Sequence, residues 1–134
     1  MEIKVLTENG RVPVTVLHVD GNIDSRSYEK FELQVDKLIK EGARYILIDL
    51  SQAPFVSSAG LRALQHIFKQ LHSLHPDSNL NTEEMKQGIR AGTYKSPYLK
   101  LLNLSPEIKT AFETSGFDMY IEAFTDRSTA IASF

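Results

Sequence analysis

The sequence predicts a single α/β domain over residues 1–134, in which about four helices pack on a mixed β-sheet made of an N-terminal hairpin and later parallel strands. Three observations lead to this prediction. Apolar and polar residues alternate over the first twenty residues, as in half-buried strands. The run Tyr45-Ile46-Leu47-Ile48 is apolar throughout, as in a strand covered on both faces. Helical and strand patterns then alternate, which is typical of parallel strands joined by helices.

The first element is predicted to be a β-hairpin, in which Asn9-Gly10 supplies the turn. Pro13 cannot donate a ladder hydrogen bond, so the second strand begins irregularly or has a free edge there. His18 continues this strand. The apolar residues that define the two strands are Ile3, Val5, Val12, Val14 and Val16.

A helix follows the hairpin, and Asp24, Ser25 and Ser27 offer side-chain caps for its start. Its buried stripe is formed by Tyr28, Phe31, Val35 and Leu38. Gly42 is predicted to end it in the left-handed conformation, before the central strand that contains residues 45–48.

A second helix begins at Ser57-Ser58-Ala59-Gly60, after a short loop from Ser51 to Val56. His66 is predicted on its exposed flank, and its buried stripe is Leu61, Leu64, Phe68 and Leu71. Residues 73–97 are rich in Ser, Asn, Pro, Gly and Lys, which predicts an inserted loop with helical character only over 81–91.

The last third of the chain returns to regular elements. Tyr98 to Leu102 is predicted as a strand, and Ser105-Pro106 begins a helix that Gly116 ends. Met119-Tyr120-Ile121 is predicted as a last short strand. Thr125 or Asp126 then caps a closing helix.

Composition limits the possible functions. Apolar residues make up 42% and charged residues 24% of the 134 residues, as in soluble globular domains. No apolar run approaches the ~20 residues of a membrane helix, and the N-terminus lacks a signal pattern, so we expect a cytoplasmic protein. The absence of cysteine excludes disulfides and thiolate sites. A net charge of −2 without a basic run predicts a protein or small-molecule partner rather than nucleic acid or membrane.

The start of the second helix is the most informative segment for function. Its first N–H groups have no partners within the helix and lie at the positive end of the helix dipole, so a phosphate on a serine there is accommodated. The residue types alone also fit a purely structural interpretation, in which Ser57 caps the helix and Ser58 is a polar residue of its first turn.

Two catalytic alternatives have less support. Ser58-Ala59-Gly60 resembles half of the G-x-S-x-G turn of serine hydrolases, but Val56 stands where that turn needs glycine. His72, His75 and Asp77 could ligate a metal, although a solvated loop is the better interpretation of this polar segment. No Gly-rich nucleotide loop is present. The sequence therefore predicts a protein that is not an enzyme and has no cofactor or metal.

Several motifs occur in the order found in the STAS domain of anti-sigma factor antagonists, which this sequence resembles over nearly its whole length. The motifs are Asp20-Gly21-Asn22-Ile23-Asp24, Ile46-Leu47-Ile48-Asp49-Leu50, Ser57-Ser58-Ala59-Gly60-Leu61, and Leu104-Ser105-Pro106-Glu107-Ile108 with Thr114-Ser115-Gly116-Phe117. The resemblance is interrupted between His72 and Pro97. It implies the mixed α/β fold predicted above.

The resemblance also implies a function. In that family an unphosphorylated antagonist binds a serine-kinase anti-sigma factor, phosphorylation releases it, and a serine phosphatase resets it. The family's phosphoserine lies two residues before the motif glycine, a position that Ser58 occupies here. Ser57 is the alternative, because this sequence departs from the family pattern on both sides of Ser58: Ser57 stands where many members carry aspartate, and Ala59 where they carry a second hydroxyl residue. The partner-binding residues implied are Asp24, Ser25, Asp49, Ser57, Ser58, Ala59, Gly60 and Leu61. Two other functions stay open: binding of a small anion or nucleotide at the helix start, and a scaffold role in a signalling complex.

Overall fold

A computed structural model describes residues 1–74, Gln87 and 95–134, and in this part of the chain five strands form one sheet in the order β1-β2-β3-β4-β5. β1 and β2 are antiparallel, whereas β2 to β5 run parallel. The predicted mixed α/β fold is confirmed. The strands are β1 (Glu2–Asn9), β2 (Pro13–Asp20), β3 (Ile46–Gln52), β4 (Leu99–Leu102) and β5 (Glu122–Phe124). The helices are α1 (Tyr28–Lys40), α2 (Ser58–Ser73), α3 (Pro106–Thr114) and α4 (Arg127–Ala132), with a 3-10 turn at Phe117–Met119.

The helices divide unequally between the two faces of the sheet. α1, α2 and α3 cover one face, which we call the three-helix face, and bury there the main core, including Leu17, Ile48, Leu101, Phe31, Leu64 and Phe112. α4 covers part of the other face, the α4 face, with a smaller cluster of Val14, Val16, Leu47, Leu102 and Ala130. Alternation of side chains along each strand produces this division.

Most predicted helix ends are confirmed. Gly42 follows α1 with a φ of +113°, and its N–H donates to the carbonyl of Ile39. Ser57, Ser105 and Asp126 accept hydrogen bonds from backbone amides of the helices that they precede. The predicted side-chain caps of α1 are wrong. Ser27 is the N-cap, but its Oγ accepts from the amide of Asp24 and donates to the carbonyl of Asn22, so it closes the preceding turn.

Three predicted strand boundaries need correction. The hairpin loop comprises residues 10–12, so Val12 lies before β2, and Pro13 is the first residue of that strand. β3 continues to Gln52, so the loop that was predicted to begin at Ser51 begins at Ala53. The last strand is β5, not residues 119–121. The amides of Tyr120 and Ile121 donate to the carbonyl of Phe117 and close the 3-10 turn, so these residues connect the turn to β5 and are buried in the core.

β1 forms one edge of the sheet and pairs with β2 alone among the described strands. It is eight residues long and mostly exposed. Glu2, Lys4 and Glu8 distribute charge along it, whereas Val5 and Leu6 expose apolar surface.

The predicted insertion over 73–97, with its helix over 81–91, lies mostly outside the described residues, and so do His75 and Asp77. These predictions stay predictions. In the segments that the structure does describe, no cluster of His, Asp or Glu could hold a metal ion. Those segments also contain no helix with the length and apolar character needed to cross a membrane.

Candidate functional site

The site lies where the carboxyl ends of β2 and β3 lead into two adjacent loops. The amide of Gly21 donates to the carbonyl of Gln52, and the amide of Ile23 donates to the carbonyl of Phe55, at 2.9 and 3.1 Å. In return, the amide of Ser57 donates to the carbonyl of Ile23 at 2.9 Å. The loop before α1 therefore runs beside the loop before α2 and holds the start of α2 in place.

Gly60 allows this close approach. A Cβ atom at this position would lie 2.6 Å from the carbonyl oxygen of Ile23 and 2.6 Å from Cγ1 of Val56. Both neighbours are fixed, because Ile23 and Val56 are buried and form a parallel β-bridge. Any other residue would push the first turn of α2 away from the loop, so a glycine is required here.

The two serines of the motif have different environments. Ser57 is the N-cap of α2, and its Oγ accepts from the amide of Gly60 at 3.4 Å. Ser58 is the first residue of the helix, and its side chain is exposed. Within the described residues the hydroxyl of Ser58 makes no hydrogen bond. It lies at the positive end of the helix dipole, where added negative charge is tolerated by the helix.

Asp24 and Ser25 lie in the neighbouring loop, beside the start of α2. Asp24 is half-buried, and its Oδ1 accepts from the amide of Arg26 at 2.9 Å and from the hydroxyl of Ser27 at 3.3 Å. Ser25 is exposed. The structure therefore brings both to the edge that holds Ser57 and Ser58. Of the other predicted residues, Ala59, Gly60 and Leu61 continue the first turn of α2, with Gly60 buried.

Asp49 lies on a different surface. It shares a strand face with Leu47, which packs in the α4 cluster, so its side chain projects from the face opposite α2. Its Oδ2 is 3.1 Å from Nδ1 of His18, and its Oδ1 accepts from the amide of Ser51 at 3.0 Å. Burial raises the pKa of the Asp49 carboxyl, but the hydrogen bonds from Ser51 and His18 outweigh burial and hold it below the usual range. Its predicted place in the partner surface stays a prediction.

Two residues of the candidate site, Phe55 and Ser105, were not predicted as site residues from the sequence. Phe55 is 49% exposed in the loop before α2. Ser105, which caps α3, also donates from its Oγ to the carbonyl of Pro54 at 3.2 Å and so ties a third loop to the site. No local pattern separates an exposed loop phenylalanine from a buried one. The Ser105 contact joins residues 51 positions apart, beyond the reach of motif analysis.

The chain has recognisable relatives in sequence and in structure. Residues 4–75 match the family model described as STAS domain. BtrV of Bordetella bronchiseptica, assigned as an anti-sigma factor antagonist, is 26% identical over 116 residues, which cover 87% of this chain and 82% of BtrV.

Solved structures show the same fold. An anti-sigma factor antagonist from Mycobacterium paratuberculosis superposes with a TM-score of 0.68 at 18% identity, covering 98% of this chain and 93% of that one. The Bacillus cell fate determinant SpoIIAA in its phosphorylated form superposes with a TM-score of 0.63 at 17% identity, covering 97% and 96%.

Proposed function

Because the chain belongs to the STAS domain family, we propose that it is an anti-sigma factor antagonist that works as a phosphorylation-regulated binding switch. In its unphosphorylated form it binds an anti-sigma factor that is a serine kinase, in the cytoplasm. Phosphorylation of Ser58 by that kinase releases it, and a serine phosphatase restores it. The protein is thus a substrate rather than an enzyme. The observation that carries this proposal is the exposed hydroxyl of Ser58, which no contact within the described fold uses.

Ser58 is a better phosphoacceptor than Ser57 for a structural reason. The hydroxyl of Ser57 caps α2, and loss of such a cap costs about 1 kcal/mol of stability. Modification of Ser57 would disturb the helix start, whereas modification of Ser58 adds charge to a free hydroxyl. A switch that changes binding without changing the fold therefore needs Ser58.

Electrostatics explains how the phosphoryl group would release a partner. It adds about −1.5 to −2 charges and three acceptor oxygens. The start of α2 tolerates this charge in the free protein. In a complex the same charge would lose water and lie beside the loop that carries the half-buried Asp24. Each 1.4 kcal/mol of repulsion and desolvation weakens binding about tenfold.

The first experiment identifies the modified residue. The protein is incubated with ATP and each serine-kinase anti-sigma factor of its host, followed by intact mass measurement and peptide mapping. We expect one phosphoryl group on Ser58, none on Ser58→Ala, and continued modification of Ser57→Ala. A phosphoryl group on any other residue, or none with any kinase, would contradict the proposal.

The second experiment measures release. The Ser58→Asp variant is expected to bind the same kinase about a hundredfold more weakly than the wild-type protein, with an almost unchanged thermal transition. Ser58→Ala is expected to bind in the presence and absence of ATP alike. Equal affinities of Ser58→Asp and wild type, measured by calorimetry, would exclude the switch.

A further inference from the structure

We propose that Phe55 is the apolar anchor with which the protein docks on its partner beside Ser58. The partner feature that it requires is an apolar pocket next to the site that receives the serine hydroxyl. This inference rests on the proposed function and adds to it the residue that supplies affinity. Phosphorylation would then control a contact whose strength comes mainly from a neighbouring aromatic ring.

The exposure of Phe55 is the first reason. Its ring lies in the loop between β3 and α2 and is 49% exposed, whereas Ala53, two residues before it, and Val56, directly after it, are buried. No ring among the described residues stacks on it. Aromatic side chains bury large apolar areas and are enriched among the residues that dominate binding energy at protein interfaces. An exposed ring beside a proposed docking point therefore fits a binding role.

The rigidity of its backbone is the second reason. The carbonyl of Phe55 accepts from the amide of Ile23 at 3.1 Å, and the carbonyl of Pro54 accepts from the hydroxyl of Ser105 at 3.2 Å. The amide of Ala53 donates to the carbonyl of Leu50 at 3.0 Å. Three hydrogen bonds thus hold the backbone of the loop that displays the ring. A loop whose backbone is already fixed loses little conformational entropy on binding, which favours affinity.

The position of Phe55 is the third reason. It precedes Ser58 by three residues, and the two residues between them are fixed, Val56 by burial and Ser57 by its cap. A partner that brings its phosphoryl donor to Ser58 therefore meets the ring at a constant spacing. The other large exposed apolar residues of the described segments lie on other elements: Val5, Leu6, Leu33, Leu74 and Met119.

A matched pair of variants tests the inference. Phe55→Ala removes the ring from the proposed anchor, and Leu33→Ala removes an apolar side chain that is 69% exposed on α1. We measure the Kd of each unphosphorylated variant for the kinase that modifies Ser58, and the KM and kcat of that phosphorylation. For Phe55→Ala we expect Kd and KM to rise about tenfold or more, with kcat and the thermal transition nearly unchanged. Leu33→Ala should behave as the wild type.

The outcomes separate this inference from the proposed function. If Phe55→Ala binds as the wild type while Ser58→Asp is released, the anchor is refuted and the switch stands. If Ser58→Asp also binds as the wild type, or if the wild-type protein binds no kinase of the panel, both are refuted. A third outcome concerns self-association. If sedimentation shows that the wild-type protein is a dimer and Phe55→Ala a monomer, while both bind the kinase equally well, the ring contacts a second copy of the chain. The proposed contact between Phe55 and the kinase would then be wrong.

Discussion

The two faces of the sheet are stabilised in different ways. The three-helix face is covered by apolar side chains from α1, α2 and α3. The α4 face is covered in part by one helix of six residues, and it contains the buried charged residues Asp49 and Lys100. On the first face, stability depends on the apolar area that is buried, because the hydrophobic effect has no preferred direction. On the second face a smaller apolar cluster is supplemented by buried polar groups, which need hydrogen-bond partners at fixed positions.

Lys100 illustrates the second case. Its Nζ donates to the carbonyl and the hydroxyl of Ser133, at 3.0 and 2.9 Å, and lies 3.7 Å from a carboxylate oxygen of Glu122. The ammonium group also lies 5.0 Å from the centre of the Phe134 ring. Because Ser133 and Phe134 directly follow α4, this lysine fastens the end of that helix to the sheet.

The largest effect is expected on the three-helix face. Phe31→Ala removes a fully buried ring of α1, and we expect a loss of about 3–5 kcal/mol in the free energy of unfolding. Urea denaturation measures it. Leu33→Ala, on the same helix but exposed, should change stability by less than about 0.5 kcal/mol. Similar losses for the two variants would show that burial does not distinguish them.

An intermediate effect is expected at Lys100. Lys100→Ala removes both the stem and the ammonium group, and we expect a loss of about 1–3 kcal/mol together with faster amide exchange in α4. Lys100→Met keeps the stem against the aromatic rings and should lose about 1 kcal/mol or less, because Glu122 stays partly solvated. If amide exchange in α4 is unchanged in both variants, Lys100 does not hold the end of α4 against the sheet.

The smallest effect is expected at Asp49 and depends on pH. Hydrogen bonds hold the pKa of the Asp49 carboxyl below the ordinary 3.8. The ionised carboxylate therefore contributes its full share to the free energy of unfolding above pH 3.8, and this share is lost as the pH falls through the lowered pKa. Asp49→Asn should therefore reduce stability by about 1 kcal/mol at neutral pH, and this difference should shrink in acid. A difference between variant and wild type that grows on acidification would contradict the assigned sign.

The main fold could be predicted because local signals and burial patterns agree. The apolar run at 45–48 predicted a central strand, and Gly42 and Ser105-Pro106 marked helix ends that the structure contains. The errors occurred where one local hydrogen-bond pattern forms in place of another that the residue types also allow. Ser27 bonds to the preceding turn instead of capping α1, and a 3-10 turn occupies the place of the predicted last strand.

The site was predictable only in part. The run Ser57-Ser58-Ala59-Gly60 identified the start of α2, because a helix cap is recognised from consecutive residues. The close packing of Gly60 on Ile23 was not predictable, because it joins two separate loops. The pairing of His18 with Asp49 was not predictable, because it depends on the register of two parallel strands. A sequence pattern does not specify which residues of such strands lie side by side.

Among the described strands β1 pairs only with β2, and its other edge has a consequence for the behaviour of the protein at high concentration. An unpaired strand is a template for the same strand of another copy, and charged side chains along it oppose such pairing. The exposed charges of Glu2 and Lys4 therefore oppose pairing of a strand that also exposes Val5 and Leu6, whereas the charge of Glu8 is paired with Arg127 at 2.7 Å. Neutralising those charges would favour fibrous association of intact, folded copies rather than unfolding.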